Sequence, residues 1–257
     1  RELGAEVSLR TVTTPLLERA RQSPSEMRAT NIANYLANDN NVKEVAEKLK
    51  AAVPAGTDLL LLPAVLGVAN DHAAKLLQDS LSVDTRFVAT MPPSVPGIRV
   101  QTLLRQCFQR LGGTLIPNNT VVKGELDGKR LKKVYTDKLC ETALEADNFV
   151  FAAGSFLGGG LTSNYEGVQE PILNLDVDAD ADRTKWTSHD LYDKQPYQSY
   201  GVKTVGLKAT KNGQTLDNVY AIGSILSGND PRMATSTGID LLTALAVAST
   251  LTSSDKR

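Results

Sequence analysis

Two short apolar segments of this sequence end in glycine, and they carry the residue types and spacing best suited to chemistry. The first runs from Phe149 to Gly154 and the second from Val219 to Gly223. Apolar runs without polar spacers are typical of buried parallel strands, and open α/β sheets bind ligands at the carboxyl ends of their strands. Glycine there lets the backbone approach a flat or phosphorylated cofactor closely. The alternative for either segment alone is a buried strand followed by a flexible loop.

A helix start is expected beside these strand ends. The second segment leads through a loop to an apolar helix predicted over 239–251, whose N-terminus lies near Thr235 to Gly238. Free N–H groups and the positive end of the helix dipole favour an anionic or electron-rich ligand at such a point. A reduced flavin ring is one ligand of this kind, and binding it requires no titratable side chain.

Only a few charged or titratable side chains in this sequence are candidates for a role in binding or catalysis. Arg99 follows a proline-rich loop at a helix start and is a candidate ligand for an anionic substrate; the alternative is a surface arginine paired with a carboxylate. His72 and His189 lack a partner pattern, which favours surface histidines over acid–base catalysts.

Four alternating acidic residues resemble part of a calcium loop. Ala181 stands where that loop needs glycine and Thr187 where it needs glutamate, so a solvated acidic turn is favoured. The four are Asp176, Asp178, Asp180 and Asp182.

Composition excludes several classes of function. The chain has 257 residues, of which 41% are hydrophobic and 22% charged, which suits a globular protein with one large or two small domains. A net charge of −1 gives no basic field to attract nucleic acid or anionic lipid. Cys107 and Cys140 form no C-x-x-C pair, which argues against zinc, iron–sulfur and disulfide sites and favours a reducing cytoplasm. No apolar run is long enough to span a membrane directly.

Alternating strand and helix patterns predict a layered α/β sheet. Strands are expected at 6–11, 58–62, 86–90, 114–116, 120–126 and 131–136, with a hairpin turn at Asp127-Gly128. Helices are expected from 23–25 to 37, over 42–53, 71–78 and 98–111, and over 239–251. The predicted division is an α/β domain at 1–111, a hairpin and strand at 112–161, a cap-like excursion at 162–215, and a returning strand and helix at 216–257.

A series of short motifs, in the same order along the chain, resembles a known family over essentially the whole sequence. The family is that of the B subunit of anaerobic glycerol-3-phosphate dehydrogenase, within the glutathione-reductase-like flavoproteins. The resemblance implies an α/β fold of the FAD/NAD(P)-binding type with an inserted α/β substrate or interface domain. The matching segments are 62–64, 92–99, 112–113, 152–161, 170–177, 195–196, 200–202 and 218–231.

The resemblance implies a flavoprotein subunit, carrying FMN or FAD, of a dehydrogenase that oxidises sn-glycerol 3-phosphate to dihydroxyacetone phosphate. The hydride would be accepted either in this protein or in the A subunit of the enzyme. Electrons would pass to quinone during anaerobic respiration. The implied partners are a second flavoprotein, the A subunit of the enzyme, and an iron–sulfur, membrane-anchoring protein, its C subunit. These would place the protein in the cytoplasm, peripheral to the inner membrane.

The resemblance also implies positions for the cofactor. Val121 would lie near the adenine or outer cofactor. The end of the first strand, at Ala152, Ala153 and Gly154, would lie beside the diphosphate. The end of the second strand, at Gly223 and Ser224, would contact the ribityl chain, and the helix start, at Gly238 and Ile239, would contact the ring.

Two departures from the family keep an alternative open. The glycine fingerprint G-x-G-x-x-G of the family is not found in this sequence, and the chain begins with Arg1 instead of methionine. The sequence is therefore interpreted as the carboxyl-terminal part of the longer protein, and the isolated fragment is expected to be inactive. Asp240 follows the last helix start, where the family has a glycine cluster, and its carboxylate would place a negative charge near a reduced, anionic flavin. The alternative is a non-catalytic assembly or electron-relay protein without its own flavin.

Overall fold

The computed structural model describes residues 4, 7–12, 28–190, 192–230 and 236–254. The chain divides into two compact units, Arg1–Leu115 and Ile116–Arg257. Each unit contains both helices and strands, so the predicted α/β class is confirmed. No helix among the described residues combines the length and apolar character needed to cross a membrane.

The first unit is built on a parallel strand pair and helices. Its helices are α1 Ala29–Tyr35, α2 Asp39–Ala52, α3 His72–Ser80 and α4 Val95–Arg110; its strands are β1 Leu59–Pro63 and β2 Asp84–Val88. Asn38 caps α2 by accepting a hydrogen bond from the Asn40 N–H, which satisfies one of the free donors of the first turn. Val42, Val45 and Leu49 of α2 are buried in a cluster with Leu77 of α3. The predicted amphipathic character of α2 is confirmed.

Helix α4 leaves its apolar side chains uncovered. The helix has the expected apolar face, but Val100, Leu103, Leu104, Phe108 and Leu111 keep exposed fractions between 49% and 83%. The first residue, Val95, is the buried one on this helix. Apolar residues at this spacing normally face a core. Although α4 contacts α1, the described residues leave its apolar face uncovered.

The second unit combines short antiparallel sheets with one parallel strand pair. Strand β13 pairs in parallel with β6 and antiparallel with β12, which gives the order β11-β12-β13-β6; β3, β4 and β5 form a separate antiparallel sheet. A single helix, α5 Ser236–Ser254, follows within the described residues. The strands are β3 Val121–Asp127, β4 Arg130–Thr136, β5 Leu144–Glu145, β6 Phe149–Phe151, β7 Thr162–Ser163, β8 Val168–Gln169, β9 Val177–Asp178, β10 Gly201–Val202, β11 Thr204–Val205, β12 Lys208–Lys211 and β13 Gln214–Ala221.

The side chain of Asn218 joins two sheets of this unit, β3-β4-β5 and β11-β12-β13-β6. Its Oδ1 accepts a hydrogen bond from the Leu131 N–H at 2.9 Å, and its Nδ2 donates to the Leu131 and Asp147 carbonyls, both at 2.9 Å. Leu131 lies on β4, and Asp147 lies two residues before β6. Because Asn218 is only 1% exposed, water cannot replace these bonds. The start of β6 is therefore fixed by a buried side chain of β13.

Several predicted elements differ from those observed. Residues 7–12 and 113–116 have no regular structure, so the strands expected at 6–11 and 114–116 are wrong for the described residues. The helix start expected at 23–25 lies outside the described residues, and α1 begins at Ala29 within them. The parallel strands belong to two separate pairs, β1 with β2 and β13 with β6, and the other paired strands are antiparallel.

The segment 162–215, expected to form a cap-like excursion, packs into the core of the second unit. Leu173, Leu175 and Val202 are buried with Val219 of β13 and Leu131 of β4 in one cluster. Strands β11 and β12 extend the sheet that contains β13. Apolar side chains of this segment thus pack against the sheet and form part of the core. Its proline and aromatic residues had instead suggested a loop with short strands.

Replacing Asn218 should destabilise the second unit strongly. In Asn218→Leu the Leu131 N–H and two carbonyls lose their partners in a buried position, and we expect the free energy of unfolding to fall by about 3 kcal/mol. Chemical denaturation measures this change. Asn218→Asp should retain the bond from the Leu131 N–H but bring a carboxylate against two carbonyl oxygens, so it should also be destabilising. Wild-type stability in both variants would contradict this role.

The carboxylate of Asp176 organises the β12–β13 hairpin. Its two oxygens accept hydrogen bonds at 2.8 Å from the N–H groups of the turn residues Asn212 and Gly213. Burial alone would raise the pKa of the Asp176 carboxyl, but hydrogen bonds from the Gly213 N–H, the Thr210 hydroxyl and the Asn212 N–H together hold that pKa below its usual value. Asp176 thus has a structural role, because its carboxylate holds the turn of the hairpin through two backbone N–H groups.

Asp176→Asn should therefore destabilise the protein in a pH-dependent manner. Since the folded pKa is below the unfolded value of about 3.9, the carboxylate stabilises the fold above that pH, and the contribution is lost as pH falls through the folded pKa. Near neutral pH we expect a loss of about 1 to 2 kcal/mol. In thermal melts the difference from wild type should shrink as pH falls below about 3.9 and vanish once pH is below the folded pKa. Asp178→Asn, at an exposed pair with Lys203, is the control. A constant difference at all pH values would contradict the assignment.

Candidate functional site

The two strands that end in glycine are neighbours. Val219 lies opposite Phe149 and Ala221 opposite Phe151 in a parallel register. The Ile222 N–H donates to the Phe151 carbonyl at 3.0 Å, which extends the pairing to the last residue of β6. Because both strands run in the same direction, the loops that follow them begin at the same edge of the sheet.

The loop after β6 is folded tightly on itself. The Ser155 carbonyl accepts hydrogen bonds from the Gly158 N–H at 3.2 Å and the Gly160 N–H at 3.1 Å. A Cβ on Gly158 would overlap the Ala153 carbonyl, and one on Gly160 would overlap the Gly154 carbonyl. These two glycines are therefore required by the loop itself.

The two loops approach each other at Gly154 and Ser224. Gly154 has a φ of +77°, and a Cβ there would lie 3.7 Å from Ser224 Oγ. Ser224 lies in the 3₁₀ turn Gly223–Ile225 that follows β13. The structure thus brings together four of the predicted cofactor residues, from Ala152 to Gly154 and at Ser224.

Helix α5 packs directly on Gly223. The Gly223 N–H donates to the Thr243 hydroxyl oxygen at 3.0 Å, and that hydroxyl donates to the Ile239 carbonyl at 2.6 Å. Gly223 has a φ of +71°, and a Cβ there would lie only 2.5 Å from Asp240 Oδ1. The glycine is thus needed for helix packing, and the second predicted strand end meets the predicted helix start.

Gly238 is an open position of this arrangement, as Gly159 and Gly228 are in the two loops. A Cβ on Gly238 would meet no atom within 4 Å, and Gly238 lies in the first turn of α5. No acidic residue occurs in that turn, so the free N–H groups and the dipole favour an electron-rich group there. The exposed helix start beside two glycine loops fits part of a flavin, whereas the G-x-G-x-x-G fingerprint that binds a diphosphate is not found in the sequence.

Val121 lies on a different sheet from these loops. It is the first residue of β3, opposite Thr136 of β4, and it packs partly buried against the core of the second unit. Its predicted contact with the outer cofactor stays a prediction.

Arg99 has a structural role in the first unit. Its Nη1 donates to the carbonyls of Gly67 and Asn70, both at 2.9 Å. These bonds fix the loop after β1 against the first turn of α4, where Ser94 caps the helix by accepting from the Gly97 N–H. Arg99 thus hydrogen-bonds to backbone carbonyls. The hydrogen bond from Lys75 and, to a smaller extent, the charge of Arg99 lower the pKa of the exposed Asp71 carboxyl.

The other titratable candidates lie in surface contacts. His72 Nε2 is 3.2 Å from Asp39 Oδ1, with both side chains more than half exposed. Asp182 accepts hydrogen bonds from the N–H and hydroxyl of Thr184, and Asp178 lies 3.9 Å from Lys203. Among the described residues, no group of three or more histidine, cysteine or acidic side chains is arranged to hold a metal ion.

Sequence reasoning identified Asp240 as a possible negative charge near the site but missed Thr243. The two are three residues apart, a spacing that places side chains on one face of a helix. Two polar residues at that spacing in a largely apolar helix indicate that this face contacts polar backbone groups, here the N–H of Gly223.

Comparison with known proteins assigns the family. The sequence profile of the FAD binding domain family matches residues 3–238 of this chain. The chain belongs to this family. The match includes β6, β13, both glycine loops and the first residues of α5 up to Gly238, whereas Ile239, Asp240 and Thr243 lie just beyond it.

Relatives of this FAD binding domain protein are named as the B subunit of anaerobic glycerol-3-phosphate dehydrogenase. The relative from Yersinia enterocolitica is 36% identical over 254 residues, which are 98% of this chain and 60% of the relative. Those from Pectobacterium atrosepticum and Actinobacillus pleuropneumoniae are 36% and 34% identical over 91% of this chain and 56% of their own lengths. The chain therefore spans somewhat more than half the length of these relatives. No solved structure matches the chain.

Gly238→Leu should block FAD binding without harming the fold. The side chain would fill the open space at the helix start, and leucine is a better helix former than glycine by about 0.8 kcal/mol. We expect at least a tenfold loss of FAD affinity, about 1.4 kcal/mol, in a fluorescence titration, with an unchanged or higher melting temperature.

The control is Ala248→Leu, which adds bulk at an exposed position of the same helix about 15 Å away. It should bind FAD as wild type does. Gly223→Leu is unsuitable as a test because Asp240 and the positive φ make it disruptive regardless of flavin. Equal FAD affinity of wild type and Gly238→Leu would exclude the start of α5 from the cofactor site.

Proposed function

We propose that this chain carries FAD in a dehydrogenase that oxidises sn-glycerol 3-phosphate to dihydroxyacetone phosphate and passes the electrons to quinone. The observation that supports it most is the meeting of two parallel strand ends, their glycine loops and an open helix start in the second unit. The family match and the names of the relatives point to the same chemistry.

In this proposal the chain's backbone positions the cofactor. Ala152, Ala153 and Gly154 lie beside the diphosphate, and Gly223 and Ser224 lie beside the ribityl chain. The N-terminal turn of α5, at Gly238 and Ile239, stabilises negative charge on the ring through its dipole. Val121 contacts the outer cofactor. Flavin, when bound, supplies the two-electron acceptor that no side chain can provide.

Arg99 is proposed to bind the phosphate of the substrate. Its Nη1 is held by two carbonyls, which orients the guanidinium and leaves the Nε and Nη2 donors without a hydrogen-bond partner among the described residues. Helix α4 begins beside it with no acidic residue in its first turn. A fixed arginine and a helix N-terminus both favour phosphate.

The proposed assembly contains two further proteins, a flavoprotein partner and an iron–sulfur partner. The iron–sulfur partner would attach the complex to the cytoplasmic face of the inner membrane. This proposal is supported by the relatives' names, which describe one component of a larger enzyme.

A second function is favoured by one feature of the site. The Asp240 carboxylate lies against Gly223, where a negative charge would oppose a reduced, anionic flavin. A protein that assembles with the flavoprotein partner or relays electrons without its own flavin would tolerate this carboxylate. The two functions differ in whether purified protein binds flavin.

Anaerobic titration separates the two functions. The chain is mixed with FAD or FMN, freed of unbound flavin, and examined for flavin absorbance before and after glycerol 3-phosphate is added. Bound flavin that the substrate bleaches supports the dehydrogenase. Colourless protein that still binds the flavoprotein partner supports the assembly or electron-relay role, and bound flavin that is reduced only with that partner present supports a dehydrogenase in which the partner accepts the hydride.

Arg99→Met provides the substrate arm of this experiment. It should leave FAD affinity unchanged and raise the glycerol 3-phosphate concentration needed for bleaching at least tenfold, because a charge-assisted contact to phosphate is worth about 1.5 to 3 kcal/mol. Unchanged substrate dependence would remove Arg99 from the substrate site.

A further inference from the structure

Helix α4 presents a continuous apolar strip to solvent. Val100, Leu103, Leu104, Phe108 and Leu111 recur at intervals of three or four residues and are all about half exposed or more. Cys107 lies in the same strip and is a free, exposed thiol. Residues 100–112 are exposed on every side of the helix, so no described element of the first unit covers this strip.

The strip is large for an unoccupied surface. Burying one large apolar side chain gains about 1.5 to 3 kcal/mol at about 25 cal/mol per Å², which corresponds to roughly 60 to 120 Å² for each side chain. The five partly exposed side chains of the strip therefore present on the order of 300 to 400 Å² of apolar surface to solvent. Apolar patches of this size on monomers often mark an interaction site.

A second copy of the chain is a poor occupant. A stable protein dimer buries about 800 Å² on each partner, roughly twice what the strip offers. Helix α4 also carries Arg99, Arg105 and Arg110 and no acidic residue, so two copies of α4 would bring like charges together. The apolar area of the strip is that of a single helix face, which within a domain packs against neighbouring helices or strands as one part of a larger core.

The relatives contain a polypeptide of suitable size. The aligned region is 60% of the Yersinia enterocolitica relative, and the remaining two fifths have no counterpart in this chain. We propose that the apolar strip of α4 is the docking surface for a polypeptide of the kind that forms this unaligned part of the relatives. The contact is apolar at its centre, and acidic side chains of that polypeptide face Arg105 and Arg110 of α4.

Cys107 allows the docking to be measured directly. The unaligned part of the Yersinia enterocolitica relative is expressed separately and mixed with this chain in the absence of flavin, and the rate of maleimide alkylation is followed. In a Cys140→Ser background, we expect the alkylation of Cys107 to slow at least about tenfold, since burial restricts access to the thiol. In a Cys107→Ser background, the exposed Cys140 should react at the same rate with and without the added polypeptide.

Two variants of α4 test whether the strip is the contact. Leu104→Glu places a charge within the strip at a side chain that is already 64% exposed, so the fold should persist. The affinity of the chain for the added polypeptide should fall at least about tenfold. Gln109→Glu makes the same change of charge on the opposite side of α4 and should bind as wild type does.

Three results would overturn the docking proposal. They are equal alkylation of Cys107 with and without the polypeptide, equal loss of affinity in both variants, and self-association of the chain that Leu104→Glu abolishes. The last would assign the strip to a second copy. Because no flavin is present, none of these outcomes depends on the proposed dehydrogenase function.

Discussion

The carboxamide of Asn218 is the constraint on which the second unit depends. It bonds to both backbone groups of Leu131 and to the Asp147 carbonyl, and it does so in a buried position where each lost bond would leave a polar group unpaired. Strand β6 has only three residues, all paired with β13, and the Asn218 contact adds a bond just before its start. The candidate site starts where β6 ends, so its geometry depends on a side chain several residues away.

The site that results is made mainly of backbone, and its glycines have separate roles. Gly158 and Gly160 permit the first loop to close on itself, Gly223 permits α5 to approach, and Gly238 leaves open space. A glycine-rich sequence therefore does not mean that every glycine faces a ligand. Gly159, Gly228 and Gly238 have no protein neighbour within 4 Å of an added Cβ. Of these three, Gly238 lies at a helix start, which is why FAD binding is best examined there.

The sequence was most informative where a local pattern determined the structure. Helical spacing predicted α2 and α4, and the apolar runs ending in glycine predicted β6 and β13. Local pattern could not show that Asn218 would join two sheets, because its partners are 71 and 87 residues away. Residues 114–116 are apolar enough for a strand but find no partner strand, and pairing decides strand formation. Periodicity likewise predicted the apolar face of α4 but not its exposure, since a pattern shows which side is apolar and not what covers it.

The position of Asn218 in the chain also determines when the second unit can form during synthesis. Strands β3, β4 and β6 leave the ribosome well before β13, and the bonds that connect them wait for a residue 87 positions after Leu131. Contacts of such long range form slowly because the intervening chain must close a large loop. Until then Phe149, Val150 and Phe151 form an apolar strand without a neighbour, the kind of edge that pairs with other chains. Protection by a chaperone during translation would therefore matter most between the emergence of β6 and that of β13.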